Sequence, residues 1–110
     1  MPGAGALDRR ITLERKTTTA SDSGAPVETW DELAERAASR KDVSDGERFK
    51  AGGLDGYRVS RFTIRWDPEL VTLTSADRLI HDDETYEIHG VKEVRGRHQR
   101  IEITAAVQRS

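Results

Sequence analysis

Short segments in which apolar and polar residues alternate recur along this chain, and they constrain its fold more than any other feature. Ile11 and Leu13 alternate with polar residues in one such segment, and Phe62 and Ile64 do so in another. Successive side chains of a β-strand point to opposite faces, so a period of two indicates strands with one buried face. At least five strands are predicted, at residues 8–16, 57–66, 72–80, 85–94 and 100–108.

Tight polar turns separate the strands of the second half, at residues 67–69, 81–84 and 95–98, and Gly90 suggests a β-bulge. This spacing favours a small antiparallel barrel or sandwich. A barrel is the better solution, because closure removes exposed strand edges and one thin core can fill it. We therefore predict an all-β fold, a small antiparallel β-barrel (SH3-like or β-sandwich-like) with long polar loops and at most a short helix.

The pattern is less clear between residues 17 and 43. Residues 17–26 are rich in Thr, Ser, Asp and Gly, which predicts an exposed loop. Residues 31–34 could form a short helical turn. Residues 35–43 fit either a helix, by propensity, or a strand, by alternation, and the neighbouring strands favour the strand.

The 110 residues suit one domain. We predict a flexible N-terminal arm at residues 1–7 and a single barrel domain at residues 8–110. A Gly-rich segment at residues 44–56 is predicted to be a long loop, and compact domains rarely carry a loop longer than about 12 residues unless it has a function or is disordered. It is either a gate or intersubunit arm, or an ordinary surface loop.

Composition limits the classes of function. Charged residues make up 35% of the chain, so either part of the surface meets a partner or the chain is a very soluble monomer. The net charge of −2 gives no overall attraction to DNA or anionic lipid. The absence of cysteine excludes disulfides, thiolate zinc sites and cysteine nucleophiles. With no signal-peptide pattern and no membrane-spanning apolar run, a cytosol-like compartment is expected.

Catalytic signals are weak. The three histidines are spread over turns and a strand, and there is no Gly-x-Ser-x-Gly elbow and no phosphate-binding glycine loop. His81, Asp82, Asp83 and Glu84 are metal-ligand types, but consecutive residues in a turn point in divergent directions. We predict that the protein is not an enzyme and has no cofactor or metal.

Basic residues gather in two places. Arg61 and Arg65 share the outward face of a predicted strand, with Arg58 on the opposite parity. That face could pair with a neighbouring subunit, contact DNA phosphates or simply be solvated. The second group could likewise be a docking contact, a nucleic-acid contact or a solvated hairpin; it comprises Arg95, Arg97, His98 and Arg100. Of the tryptophans, Trp66 is predicted in the core, while Trp30 could cap the barrel or anchor a neighbour.

The order of these motifs resembles the phage head–tail adaptor family, also described as head-closure or stopper proteins. The early strand at residues 7–15 is followed by Gly24 and a Val-x-x-Trp pattern ending at Trp30. A Ser-to-Phe stretch at residues 44–49 and the strand at 57–66 follow, and an Arg-Leu…Tyr-x-Ile-x-x-Val pattern covers residues 78–91. Two stretches depart from the family pattern, because residues 51–56 are Gly-rich instead of helix-favouring and residues 81–84 lack the usual glycine.

The resemblance implies a ring subunit, often twelvefold, in a phage or a gene transfer agent. The portal or its adaptor would lie on the head side and a tail terminator or tail protein on the tail side. Packaged DNA, held without sequence specificity, would fill the lumen. Localisation at the head–tail interface of the particle, after assembly in the bacterial cytoplasm, is implied.

Two groups of site residues are predicted on this basis. A channel or gating loop would use Asp45, Glu47, Arg48, Lys50, Gly52, Gly53 and Asp55. Intersubunit or docking contacts would use Trp30, Arg61, Arg65, Arg95, Arg97 and Arg100. A tail terminator or tail-tube ring subunit is the nearest alternative, and a monomeric nucleic-acid-binding barrel is a more distant one.

Overall fold

The computed structural model describes residues 7–43 and 56–108, and six β-strands dominate them. The strands are β1 (Arg9–Ala20), β2 (Pro26–Asp42), β3 (Tyr57–Arg65), β4 (Asp77–His81), β5 (Glu84–Val94) and β6 (Arg100–Gln108). A single 3-10 turn at Leu70–Thr72 is the other regular element of the described chain. No helix in these residues is long and apolar enough to cross a membrane.

All six strands pair antiparallel in the order β1-β2-β3-β6-β5-β4, and β4 pairs back onto β1 to close the sheet into a barrel. The β3–β6 pairing runs the full length of both strands. The closing β1–β4 pairing is short and joins Thr12–Arg15 to Asp77–Ile80. The predicted all-β antiparallel barrel is thereby confirmed.

The alternating apolar residues fill the barrel, as the period of two predicted. Ile11 and Leu13 of β1 and Phe62 and Ile64 of β3 are fully or almost fully buried. The other strands contribute Ala34, Ala38, Leu79, Tyr86, Ile88, Ile101, Ile103 and Ala105 to the same cluster. Burying each large apolar side chain contributes about 1.5–3 kcal/mol, so this cluster is the main source of stability. Trp66 is half-buried and packs against the edge of the cluster.

Two predicted turn features are confirmed. Asp82 and Asp83 both have positive φ, 50° and 63°, which is the backbone of a two-residue hairpin that matches strand twist. Asp tolerates this conformation better than most residues with a side chain. The β5–β6 register shifts between Ile88 and Gly90, which is the predicted β-bulge.

Between residues 17 and 43 the structure corrects the sequence interpretation in part. The loop predicted at residues 17–26 is wrong over half of its length, because β1 continues to Ala20 and β2 begins at Pro26, while residues 21–25 form the turn between them. The helical turn suggested at residues 31–34 is also wrong, since these residues lie within β2 and pair with β1. The strand interpretation of residues 35–43 is confirmed, with Ala34 and Ala38 buried against the core.

The strand predicted to begin at residue 72 starts instead at Asp77. Asp67 Oδ1 accepts backbone N–H bonds from Glu69 at 2.8 Å and Leu70 at 3.2 Å, which folds the preceding segment into the 3-10 turn. Leu70 and Leu73 are then carried into the core. A tight turn with an apolar anchor has replaced the first residues of the expected strand.

The β1–β2 hairpin extends beyond the barrel. Residues 16–20 and 26–30 pair with each other, while the pairing of β1 to β4 stops at Arg15 and that of β2 to β3 covers Ser39–Asp42 alone. We call residues 16–30 the ribbon. Its side chains are exposed, apart from the half-buried Ser21 and Trp30.

Candidate functional site

A shallow basic groove lies on the outside of the barrel, with a volume of about 420 Å³. Four strands or their ends line it, namely β2, β3, β5 and β6. The lining residues are Ser39, Arg40, Lys41, Arg61, Thr63, Val94, Arg95 and Glu102. Among these lining residues, which all belong to the described part of the chain, four are basic and one is acidic, a formal charge of +3.

The alternation that fills the core also builds the groove. On β3, Arg61 and Thr63 point outward because they alternate with the buried Phe62 and Ile64. The strand register then brings distant residues side by side on this outer face. Lys41 is the partner of Arg61 across β2–β3, and Thr63 is the partner of Glu102 across β3–β6.

Ion pairs link basic side chains in or beside the groove to Glu102 and Asp42. Glu102 Oε1 lies 3.9 Å from Arg61 Nε and 3.6 Å from Lys92 Nζ, so one carboxylate serves two cations. Arg40 Nε binds Asp42 Oδ1 at 3.0 Å. Lys41 is exposed between them. Such a surface suits a carboxylate or phosphate group brought by another molecule.

The carboxylate of Asp42 stays ionised at the edge of the groove. Partial burial acts to raise the pKa of Asp42, but hydrogen bonds from Ser60 at 2.8 Å and from Arg40 at 3.0 Å outweigh it. The pKa of Asp42 is therefore lowered from its ordinary value. Asp42 therefore compensates the charge of Arg40 over the ordinary pH range.

The structure brings most of the predicted docking arginines to this face. Arg61 and Arg95 line the groove itself. Arg65 and Arg100 are cross-strand partners on the same outward parity, and Arg100 is also the partner of Val94 in the groove wall. Arg97 is exposed in the turn that follows Arg95. Their identity as docking residues stays a prediction.

Trp30 lies apart from these arginines. It belongs to the ribbon end of β2, where it is the partner of Lys16. The guanidinium of Arg78 lies 4.1 Å from the centre of its ring, a cation–π contact that fixes the indole against β4. Trp30 thus has a contact within its own chain.

Arg58 takes a structural position instead of joining a basic face. Its guanidinium donates to the Glu84 carboxylate and to the Tyr86 hydroxyl, the latter at 2.8 Å. These two hydrogen bonds raise the pKa of Arg58 against the opposing effect of burial. The sequence predicts that Arg58 lies on the opposite face of β3 from Arg61 and Arg65. The structure agrees, because Arg58 lies on the same face of β3 as the buried Phe62.

The side chains of the acidic turn at residues 81–84 do not point toward a common centre. His81 is buried, with its ring centroid 5.4 Å from that of Phe62, whereas Asp82 is exposed. Burial lowers the pKa of His81. Within residues 7–43 and 56–108, no group of three or more His, Asp or Glu side chains could hold a metal ion.

The sequence analysis did not identify all of the residues that line the groove. In addition, some of the site residues that it predicted lie outside the described part of the chain. Lys41, Arg40 and Glu102 carry no motif of their own, and the strand register alone groups them with Arg61. The predicted channel-loop residues lie outside the described residues; they are Asp45, Glu47, Arg48, Lys50, Gly52, Gly53 and Asp55. Residues 1–6 of the predicted arm also lie outside them.

Comparison with known proteins links this fold to phage particles. The sequence model of a family described as phage head completion protein matches residues 2–108. A solution structure of protein SF1141 from Shigella flexneri 2a shares 23% identity, with a TM-score of 0.74 and coverage of 96% of each chain. A chain from the virion of a native gene transfer agent particle shares 20% identity, with a TM-score of 0.63 and coverage of 92% of this chain and 94% of that one. At these identities the two structures show a common fold, and no curated protein matches the sequence.

Proposed function

Because the chain belongs to the phage head completion protein family, we propose that it acts as a connector subunit, a stopper or adaptor. In this role it joins the portal or its adaptor to the tail and helps to retain packaged DNA. Membership makes the chain a structural component of the virion, at the head–tail region. The ring, its partners and the retention of DNA are the proposed part.

The observation that carries the proposal is the basic groove on the outside of a filled barrel. The interior of the barrel is occupied by the core cluster, from Ile11 to Ala105. The described chain therefore presents most of its charged groups on outer faces, where they can meet macromolecules. We expect the protein to act by binding, without catalysing a reaction.

The ring is proposed to form through these outer charges. Arg61, Arg65 and Arg95 would contact neighbouring copies or the adjoining ring, with Arg97, Arg100 and Trp30 as further docking residues. Guanidinium groups suit such contacts because they bind carboxylates with two parallel hydrogen bonds. Many copies engaging together make weak individual contacts sufficient. Twelve copies is the expected number in the particle.

The channel loop is proposed from topology and composition. β2 ends at Asp42 and β3 begins at Tyr57, and the two strands are antiparallel neighbours, so both ends of the connection lie at one end of the barrel. The residues between carry Asp45, Glu47 and Arg48 together with Gly52 and Gly53. We propose that this connection faces the lumen and contacts DNA without sequence specificity, with Lys50 and Asp55 as its further charged members.

The particle could be a phage or a gene transfer agent. A chain of a native gene transfer agent virion has the same fold over nearly its whole length, and this likeness supports a gene transfer agent as the particle. The proposed role is the same in both.

Deletion of the gene tests the proposed function. Particles made without the protein should appear by electron microscopy as heads that have lost DNA beside free tails, and expression of the wild-type gene in trans should restore filled, tailed particles. Filled heads with intact, normal tails in the deletion strain would contradict the proposal. Filled, closed heads with tails of abnormal length would favour the tail terminator or tail-tube alternative instead.

A further inference from the structure

The ribbon leaves the barrel without a third strand to hold it. In the described part of the chain, no other strand pairs with residues 16–20 or 26–30. A two-stranded hairpin is marginally stable alone in water. The register of β1 and β2 also shifts just before the ribbon, between Leu13 and Glu14, and such a bulge bends a strand pair. The backbone therefore gives the ribbon a place to bend, and side chains have to fix its direction.

Arg78 on β4 holds the outer face of the base of the ribbon. Its Nε donates to Glu14 Oε1 at 2.6 Å, directly after the bulge, and its guanidinium carbon lies 4.1 Å from the centre of the Trp30 ring. Glu14 belongs to β1 and Trp30 to β2, so the two contacts fall on different strands of the hairpin. One cation thereby ties both strands to a third strand of the barrel.

The ion pair of Arg78 falls on the ribbon side of β4. Arg78 is the direct cross-strand partner of Glu14 on β1 and also of Glu87 on β5. In the described chain its ion pair is with Glu14, whereas Glu87 Oε2 lies 3.5 Å from His89 Nε2. The two glutamates offer the same charge, but the indole of Trp30 lies on one side only. Because a cation is attracted to the face of an aromatic ring, Trp30 favours the arrangement in which the ribbon is held.

The opposite face of the base is tied to β4 as well. Arg15 donates two hydrogen bonds to the buried Asp77 carboxylate, at 3.0 and 3.2 Å. Its cross-strand partner Asp31 accepts a hydrogen bond from Thr17 of the ribbon at 2.9 Å. Asp77 and Arg78 are consecutive residues of a strand, so their side chains point to opposite faces. Strand β4 therefore holds the hairpin from both sides.

We infer that Asp77 and Arg78 fix the ribbon at one angle to the barrel, so that it acts as a rigid arm and not as a loose flap. The inference goes beyond the proposed function, concerns the free chain and does not depend on the proposed ring. A rigid arm carries its turn, residues 21–25, about 15 Å beyond the last β1–β4 pairing at Arg15, since each strand residue spans roughly 3.3 Å. Such an arm meets another macromolecule at a set distance from the barrel, and its binding does not carry the cost of ordering a flexible segment.

Distances between two spin labels test the inference, and the natural chain has no cysteine to remove. The labels are attached to Asp22→Cys in the turn of the ribbon and to Thr85→Cys on β5, both of which are exposed positions. Pulsed electron–electron double resonance on the purified protein should give one narrow distance distribution. Arg78→Leu in this background should broaden the distribution about twofold, because both contacts of the outer face are lost. Trp30→Leu should broaden it by a smaller factor, since the bond to Glu14 remains.

The matched control is Glu87→Gln, which changes the other glutamate opposite Arg78 and should leave the width of the distribution unchanged. Urea unfolding of each variant separates loosening of the ribbon from loss of the fold. A broad distribution in the labelled parent, or an unchanged width in Arg78→Leu, would overturn the inference. If Arg78→Leu does not fold, an unchanged width in Trp30→Leu would overturn it, because Trp30 lies outside the core cluster. Each of these results would leave the proposed function standing, which the deletion particles test separately.

Discussion

His81 shows how one buried side chain can make the stability of the protein depend on pH. It ends β4 with only 2% of its surface exposed, and it packs against Phe62. Burial is the largest influence and lowers the pKa of His81. Asp82 acts against it, Arg40 and Arg9 add to the lowering, and the pKa remains below its ordinary value. The folded protein therefore holds His81 neutral at a pH where an unfolded chain begins to protonate it.

We predict that stability falls as the pH drops below about 6.5, the ordinary histidine pKa. The unfolded chain takes up a proton that the folded chain resists, so the His81 contribution is complete above this pH and is lost below it. One proton gives a slope of at most about 1.4 kcal/mol per pH unit. Urea unfolding at pH 7.5, 6.5 and 5.5 measures it.

His81→Leu should flatten this dependence, whereas His89→Gln should not, because His89 is exposed on β5. The pKa values of Asp42 and Asp67 are lowered from 3.8, so these carboxylates titrate below the tested range. An unchanged slope in His81→Leu would show that another group causes the effect.

At the scale of elements, the ribbon marks where sequence patterning stops being informative. Ile11 and Leu13 reveal the first half of β1 because they alternate with polar residues and are buried. Thr17, Thr18 and Thr19 have no such alternation, since neither face of the ribbon is buried. Their β-branched side chains favour a strand weakly, and the pairing with residues 27–29 decides it.

The sequence predicts that a single residue such as Arg61 faces outward, but it does not predict which other residues lie beside it in the groove. Alternation assigns Arg61 to the outer face of β3 without knowledge of the fold. Its neighbours Lys41 and Glu102 are 20 and 41 residues away in sequence and are brought to it by the pairings of β2 and β6 with β3. Register between distant strands depends on the whole barrel, so a local pattern cannot give it.

Shortening the ribbon should leave the barrel folded. We propose replacing residues 17–29 by Asn-Gly, which forms a two-residue hairpin turn between the paired residues Lys16 and Trp30. Because the removed residues lie outside the core cluster, the free energy of unfolding should change by no more than about 1 kcal/mol. Circular dichroism and urea unfolding test this.

Two features of the shortened chain serve as internal checks. The contact between Arg78 and Trp30 should survive, so the tryptophan fluorescence of the folded state should change little. Loss of cooperative unfolding in the shortened chain would show that the barrel does not fold without the ribbon. If the chain folds but no longer assembles into particles, the ribbon is needed for assembly and not for folding.

At the scale of the whole molecule, the short β1–β4 pairing decides whether the sheet is a closed barrel or an open sheet with two edges. Two cross-strand ion pairs lie at this seam. Arg15 donates two hydrogen bonds to the Asp77 carboxylate, at 3.0 and 3.2 Å, and Arg78 donates one to Glu14 at 2.6 Å. Asp77 is 4% exposed and also accepts the Thr74 N–H at 2.9 Å. Its charge is thus buried and depends on its partners.

We predict that Arg15→Leu lowers the free energy of unfolding by about 1–3 kcal/mol, because it leaves the buried Asp77 carboxylate without its cation. The matched control is Arg10→Leu, which removes an ion pair with Glu35 in which both side chains are exposed. This variant should lower the free energy of unfolding by less than about 1 kcal/mol. Urea unfolding of both variants measures the difference. The double variant Arg15→Leu/Asp77→Asn should recover part of the loss, since no unpaired charge remains. Equal effects of Arg15→Leu and Arg10→Leu would contradict this prediction. They would mean that backbone pairing between β1 and β4 closes the barrel without help from the ion pair between Arg15 and Asp77.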